Sequence, residues 1–407
     1  MNNIQHWKNV KLKYLADMRS GESITSEVIE PSGLYPVYGG GALRGYTSEY
    51  THKGKYVLIG RQGANCGNVK TVQGEFWASE HAVVVTPNSN VDVEWLGYLL
   101  ESMNLNQYSM SAAQPGLAVS MIKNLEALVP PKKTQEKITK YINSKVSSIE
   151  ELIKQKEKLI ILIQEKRQSV ITEVVTKGLD SNVIMKDSGV EWIGEIPDHW
   201  EIKKIRYTTY AKGRIGWQGL KSEEFIDEGP YLVTGTDFNR GKVDWEKCYH
   251  ITEERYMEAP EIQLQEGDLL ITKDGTIGKL ALIENLPGKA SLNSHLLVLR
   301  PLRDLYSTKY LYWYLSSDIF TKYVELKKTG TTFYGISQDS IERFLFALPS
   351  IKEQNQITNF LDKQTELLDS VKFKLQDQIK KLQEYRQSLI YEAVTGEIDA
   401  HNVEVVL

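Results

Sequence analysis

The side chains best suited to chemistry in this chain sit on polar loops punctuated by glycine. Arg44 lies in Tyr38-Gly39-Gly40-Gly41-Ala42-Leu43-Arg44-Gly45-Tyr46, and Arg61, Gln62 and Asn65 lie in Gly60-Arg61-Gln62-Gly63-Ala64-Asn65. Gln114 follows in Ala112-Ala113-Gln114-Pro115. Further along, Arg214 and Gln218 share Lys212-Gly213-Arg214-Ile215-Gly216-Trp217-Gln218-Gly219. Asn239, then Lys273 in Thr272-Lys273-Asp274-Gly275, then Thr331 and Thr332 in Lys327-Lys328-Thr329-Gly330-Thr331-Thr332 complete the set. Arginine pairs bidentately with a guanine edge, and glutamine or asparagine with an adenine edge. Glycine lets the backbone approach a phosphate closely. These loops therefore offer recognition of a nucleic acid rather than bond making. Any one of them also fits a solvated hairpin turn. As a group they favour recognition, because both halves of the chain place basic and amide residues after matching strands.

No catalytic constellation stands beside them. Gly275-Thr276-Ile277-Gly278-Lys279 has the wrong glycine spacing for a phosphate loop, and no Ser or Thr follows Lys279. Pro197-Asp198 with Glu201 and Lys203 has the outline of a nuclease acid cluster, but the matching Gln5-His6-Trp7-Lys8 lacks both acids, so it reads as the start of a module. The seven histidines and two cysteines show no metal-ligand spacing. His81 and His295 read as satisfied core or strand-end histidines. There is no Asn-Pro-Pro-Tyr or Asp-Pro-Pro-Tyr methyltransferase motif and no Gly-x-Ser-x-Gly elbow.

The elements that must carry these loops are duplicated. Residues 130–180 align with 349–399 without a gap at an offset of 219, with 16 identities in 51 positions. The densest block is E-x-R-Q-S-x-I-x-E-x-V-T, Glu165 to Thr176 against Glu384 to Thr395. Fainter matches continue upstream: His6-Trp7 with His199-Trp200, Gly33, Tyr35, Val37 and Gly39 with Gly229, Tyr231, Val233 and Gly235, and His81 with His295. The offset grows from 193 to 219, so the second unit carries 26 extra residues. Each repeat ends in a long proline-free segment entered at Pro130-Pro131 or Pro349, with Gly178 and Gly396 at the positions of C-terminal caps. Leu361, Leu368, Leu375, Leu382 and Leu389 recur every seven residues, and Ile142, Ile149, Lys156, Ile163 and Val170 hold the same places in the first copy. Such a stripe predicts a coiled-coil seam between two antiparallel helices, each about 65–70 Å long. Lys156, alone in the seam, should be a weak spot or face a carboxylate such as Asp377 or Glu157. Tyr56–Ile59, Ala82–Thr86, Asp268–Thr272 and Leu296–Leu299 read as buried strands, and Glu94–Leu100 and Ser307–Ser317 as helices.

Composition bounds the rest. A chain of 407 residues with 41% hydrophobic and 25% charged residues predicts two to four folded domains and excludes wholesale disorder. No apolar run reaches 18 residues, and the polar start MNNIQHWKNVKLKYL is unlike a secretory signal. Cys66 and Cys248 are too few to staple a fold, which suits a reducing, cytoplasmic setting. A net charge of −4 argues against an indiscriminate nucleic-acid binder. Charge is segregated, with 11 basic against 7 acidic residues in 131–180.

Together these segments resemble the DNA-specificity subunit of type I restriction–modification systems. The resemblance covers essentially the whole chain. It rests on the duplicated order of globular unit then helix, and on I-P-D-H-W-E at 196–201, G-D-L-L-I-T-K-D-G-T-I-G-K at 267–279, L-N-S-H-L-L-V-L-R-P at 292–301, T-G-T-T-F-Y-G-I-S at 329–337 and Y-R-Q-S-L-I-Y-E-A-V-T-G-E-I-D at 385–399. Y-P-V-Y-G-G-G at 35–41, G-R-Q-G-A-N-C-G at 60–67 and A-A-Q-P-G-L at 112–117 resemble a second recognition subtype. The resemblance implies an α+β protein: two mixed α/β target-recognition domains in tandem, over 1–130 and 196–348, joined by long spacer helices over 131–180 and 349–399. A linker at 181–195 and a tail at 400–407 complete the division. It implies a chain that is not an enzyme, reads one half of a split double-stranded DNA site with each domain, and binds two adenine-N6 methyltransferase subunits and two ATP-dependent nuclease–translocase subunits. S-adenosylmethionine, ATP and Mg²⁺ would belong to those partners, none to this chain, and no membrane is involved. Two other readings stay open: a coiled-coil repeat scaffold that binds proteins without reading DNA, and a nuclease or methyltransferase with unrecognised residues. The first unit has Ala112-Ala113-Gln114-Pro115 where the second has Thr331-Thr332-Phe333-Tyr334, so the two domains should read different half-sites.

Overall fold

The structure, a computed structural model, describes residues 6–40, 42–109, 116–214, 219–328 and 335–398. It divides into two compact units, Met1–Glu157 with Leu375–Leu407, and Lys158–Lys374. The division cuts both long helices, Lys132–Lys177 of 46 residues and Ile351–Thr395 of 45, in their middles. Each unit therefore holds one globular part and half of each helix.

In the first unit six strands run in the spatial order Ala16–Ser20, Ala82–Pro87, His52–Gly60, Val69–Ala78, Tyr35–Gly39, Ala42–Thr47. All neighbours are antiparallel except Tyr35–Gly39 beside Val69–Ala78, where Val37 faces Trp77. The central strands bury Val57, Ile59, Val83 and Val85 against Trp95, Leu96 and Leu100 of the short helix Val93–Ser102. These are β-branched residues on a pleated surface and a leucine-rich helix face, each contributing about 1.5–3 kcal/mol when buried. Ile138, Ile142 and Val146 of the first long helix and Leu389, Ile390, Ala393 and Val394 of the second close the same core.

In the second unit the equivalent sheet runs Thr209–Lys212, Leu296–Pro301, Leu269–Thr272, Leu280–Leu282, Lys242–Val243, Phe238–Asn239. A second, three-stranded sheet of Tyr249–His250, Ile226–Val233 and Ala290–Leu292 accompanies it. The pairing of Val233 with Leu292 is parallel, as is its counterpart in the first unit. Between Gly235 and Lys273 the repeat offset jumps from 196 to 212, and here the second unit adds a hairpin and the short helix Glu253–Met257.

The same devices fasten helix to globular part in each unit. Buried Gln135 accepts from the Asp92 backbone N–H at 2.8 Å and donates to the Pro130 carbonyl at 2.8 Å. Gln354, its repeat equivalent, accepts from the Ser307 N–H at 2.9 Å and donates to the Pro349 carbonyl at 2.9 Å. Asp92 and Ser307 in turn cap the short helices, accepting from Trp95 N and Tyr310 N. A buried amide with both ends satisfied costs little, and it fixes where the long helix starts.

Within the first unit Arg386 pairs with Glu150 at 3.3 Å and Lys156 donates to Gln378 at 2.8 Å. The partner number falls as the first number rises, so the two helix segments run antiparallel. Within the second unit Arg167 meets Asp369 at 3.6 Å, and Ile171, Val174 and Val175 share a core with Ile357 and Leu361. Arg167 and Arg386, and Glu150 and Asp369, are repeat equivalents, so one contact is built twice. Ile142, Ile149, Leu361 and Leu389 of the heptad rows are buried, while Ile163, Val170, Leu368, Leu375 and Leu382 are half-buried. A second row sits four residues on, with Val146, Ile153, Ile160 and Val174 on one helix and Thr365, Ile379 and Ala393 on the other buried or half-buried. Lys156 does not face a carboxylate. Its partner is the Gln378 amide, and Asp377 is taken by Lys381 at 2.7 Å. An amide lets a cation sit at a half-buried seam position without a second charge to desolvate.

Candidate nucleic-acid interface

The first unit presents its loop residues at one end of the sheet. The strand His52–Gly60 ends where Arg61 N donates to the His81 carbonyl at 2.9 Å and the Arg61 carbonyl accepts from Leu117 N at 2.9 Å. Gln62 makes a bridge with Gly116. The loop that follows closes on itself, with Gly67 N donating to the Gly60 carbonyl at 2.8 Å. Gly60 is obligatory here, since a Cβ would lie 1.9 Å from the Asn65 carbonyl oxygen. Gly40, at φ +63, packs against Asn65 and the Gln62 and His81 carbonyls. The Arg44 side chain crosses Gly39, whose missing Cβ would meet Arg44 Cδ at 2.4 Å. Arg44, Arg61, Gln62 and Asn65 are thus gathered at one corner. Arg44 and Gln62 are exposed, and Arg61 is half-buried, donating to Ser20 Oγ at 3.0 Å. Gln114 lies outside the described residues.

The second unit builds the same corner from different side chains. Leu269–Thr272 ends where Lys273 N donates to the His295 carbonyl at 2.8 Å and the Lys273 carbonyl accepts from Ile336 N at 2.9 Å. Asp274 bridges to Gly335. Arg61 and Lys273, Gln62 and Asp274, His81 and His295, and Gly116 and Gly335 are therefore equivalent positions. Lys273 is half-buried, and burial pushes its ammonium below the usual lysine range while Asp274 pulls the other way. Thr331 and Thr332 lie outside the described residues, between Lys328 and Gly335, and Gln218 lies outside them as well.

Two expectations change. Arg214 is not a surface reader: it is 4% exposed, and its guanidinium donates to the Leu292 carbonyl and to Ser291 Oγ, each at 3.0 Å. Burial and the neighbouring Arg255 lower its pKa. The preceding Gly213 packs against Leu297 and the Leu296 carbonyl, where a Cβ would clash. Asn239 is exposed but sits elsewhere: its hairpin partner Lys242 pairs with Leu282, which pairs with Leu269, a strand's length from Lys273.

His81 and His295 are satisfied strand-end histidines, each immediately before a strand and each hydrogen-bonded. His81 Nδ1 lies 3.0 Å from Gln62 Oε1 and its Nε2 lies 3.1 Å from Glu80 Oε1. His295 Nδ1 lies 3.0 Å from Asp274 Oδ2. The sequence carried a signal for this pairing, because the offsets of 212 for Gln62 to Asp274 and 214 for His81 to His295 are nearly equal. The phosphate-loop-like Gly275–Lys279 is a hairpin turn, with Lys279 N donating to Thr272 Oγ1 at 2.9 Å. Lys203 pairs with Glu201 at 2.5 Å, and no group of three or more His, Cys, Asp and Glu among the described residues could hold a metal. Among the described residues no helix is long and apolar enough to cross a membrane.

Comparison with known proteins gives the family. A type I restriction modification DNA specificity domain model matches residues 4–162 and again 210–381. The type I restriction enzyme EcoprrI specificity subunit of Escherichia coli is 45% identical over 127 residues, covering 30% of this chain and 32% of that one. The type I restriction enzyme MjaVIII specificity subunit of Methanocaldococcus jannaschii is 22% identical over 419 residues, covering 98% of this chain and 94% of that one. The fold matches a chain from a structural study of type I R-M complex assembly and conformational transition, with a TM-score of 0.72 at 16% identity over 97% and 99% of the two chains. An HsdS subunit from Thermoanaerobacter tengcongensis matches with a TM-score of 0.51 at 16% identity over 97% and 98%. With two matched segments that together span most of its length, the chain belongs to the type I restriction–modification specificity-subunit family and carries two of its specificity domains in tandem.

Proposed function

We propose that this chain reads a bipartite double-stranded DNA site, one half with each globular unit, and directs adenine-N6 methylation and ATP-dependent cleavage by partner subunits. The observation that carries this reading is the corner built twice: the same backbone clamp, the same histidine, and different outward side chains. A scaffold that bound only proteins would have no need for matched frames with unmatched polar readers. Within each unit the segments of the two long helices pair as a coiled coil, a reading supported by the equivalent contacts Arg386 to Glu150 and Arg167 to Asp369. The chain itself does no chemistry. Two methyltransferase subunits bring S-adenosylmethionine, and two restriction subunits bring ATP and Mg²⁺. The test is to map N6-methyladenine across genomic DNA of cells with and without the gene, both carrying the methyltransferase subunit. A split motif methylated only when this chain is present is the expected result. Methylation that is unchanged by loss of the gene overturns the reading.

A further inference from the structure

The duplicated corner holds its backbone constant while its outward side chain changes from amide to carboxylate. We infer that Gln62 and Asp274 are the base-edge readers of their two corners, each oriented by the histidine across from it, and that Asp274 takes an exocyclic amino group. The inference rests on the DNA-reading function proposed above and adds to it the kind of edge each corner accepts.

Three observations support it. First, the frame is the same: Arg61 and Lys273 each donate to the carbonyl of the equivalent histidine and each accept from the residue after the equivalent glycine. A position fixed by backbone in both copies, yet different in side chain, is where two half-sites can be told apart. Second, the contacts are exposed, with Asp274 and His295 side chains 45% and 61% accessible. A hydrogen-bonded pair so placed adds little to stability, so its geometry matters mainly for orientation. Third, the clamp shapes the acceptor. A Cβ on Gly335 would meet Asp274 Oδ1 at 2.5 Å, so glycine there leaves the carboxylate its place.

The chemistry of the two readers differs in a definite way. Asp274 only accepts, so the proton between it and His295 Nδ1 is on the imidazole. A carboxylate held that way repels phosphates and the keto edges of guanine and thymine. It is at home against the amino group of cytosine or adenine. Gln62 presents one edge of its amide to His81 and keeps both a donor and an acceptor free. That holds whichever way the amide is turned. A donor beside an acceptor matches the N6 and N7 of adenine.

The test uses the full-length chain in the reconstituted methyltransferase complex, assayed on a panel of duplexes with every single-base change in the mapped site. The wild-type complex should accept only cytosine or only adenine at one position of the second half-site, and the panel says which. Asp274→Asn supplies a donor there, so guanine or thymine at that position should be methylated about tenfold better than by wild type, with the first half-site unchanged. Gln62→Glu should shift one position of the first half-site from adenine towards cytosine by a similar factor. His295→Ala should broaden the same position as Asp274→Asn, and His295→Gln, which keeps a donor, should restore it. A merely structural histidine would lower melting temperature and activity on all duplexes together. Base preference unchanged in Asp274→Asn, or activity lost evenly across the panel, overturns the inference while site-specific methylation by wild type keeps the DNA-reading function. A wild-type complex without sequence preference overturns both.

Discussion

Arg214 and Arg61 follow glycines in similar loops, and their surroundings give them opposite roles. Arg214 is buried with its guanidinium committed to Leu292 and Ser291. Removing it leaves a buried carbonyl and hydroxyl without that partner, which costs about 2–4 kcal/mol. Arg214→Ala should therefore lower the melting temperature, with base preference unchanged in whatever complex remains folded; a relaxed half-site at full stability would count against this. The Arg61 side chain donates to Ser20 at the corner's edge. Arg61→Ala should leave stability within about 0.5 kcal/mol. If it touches a base, one position of the first half-site loses about 1–3 kcal/mol of discrimination. If it touches phosphate, all sequences weaken together and the salt slope falls by about one. The loops were legible as polar, glycine-rich surfaces. Which arginine turns inward was not, because that depends on Ser291 and Leu292, on a strand distant in sequence, accepting its guanidinium.

At the scale of elements, each unit is tied to its helices by groups that titrate or hydrogen-bond, and these set its response to acid. His199, Trp200 and Ser350 all donate to Glu353 near the start of the second long helix. Burial alone would raise its pKa, but these bonds overrule it and hold the carboxyl at about 2, against an ordinary 4.5. A depressed folded pKa gives stability that is complete above pH 4.5 and is lost as pH falls towards 2. The side chain is 30% accessible, so solvent screening leaves about 1–2 kcal/mol. Glu353→Gln should be less stable at neutral pH by that amount, and its gap to wild type should close between pH 4.5 and 2 in urea melts. A constant gap would assign the loss to packing. Gln354→Ala, which breaks the buried link to Ser307 and Pro349, should cost about 2–3 kcal/mol at every pH. The helices were readable in the sequence because heptads and prolines are local signals. The offset of 219 also made Gln135 and Gln354 equivalent. That both are buried amides was hidden, since a glutamine in a polar helix start looks solvated until the cap it serves is in place. Two strands of the second sheet were hidden for a similar reason: Tyr249–His250 and Ala290–Leu292, of two and three residues, leave no periodicity to read.

At the scale of the whole chain, charge decides how the readers can work. The net charge is −4, and the 11 basic residues over 131–180, against 7 acidic ones, lie on the first long helix, not at either corner. Among the described residues, the cations that line the two clamps are Arg44 and Arg61 in one and a half-buried Lys273 in the other. Affinity for DNA comes chiefly from neutralised phosphates, with log K falling by about 0.9 per phosphate contact as log salt rises. A chain with so few cations at its readers should bind weakly alone, with a shallow salt slope and little preference for its own site. Methyltransferase subunits that enclose the duplex would supply the missing phosphate contacts, and the corners would then discriminate within a complex already held in register. Dissociation constants for the chain alone and for the reconstituted complex, each measured on specific and scrambled duplexes across a salt series, test this. The complex should bind its site at least tenfold more tightly than the chain, with a steeper salt slope. Equal affinities and equal slopes would mean that this chain carries its own phosphate-binding surface, and that the reading corners work without help.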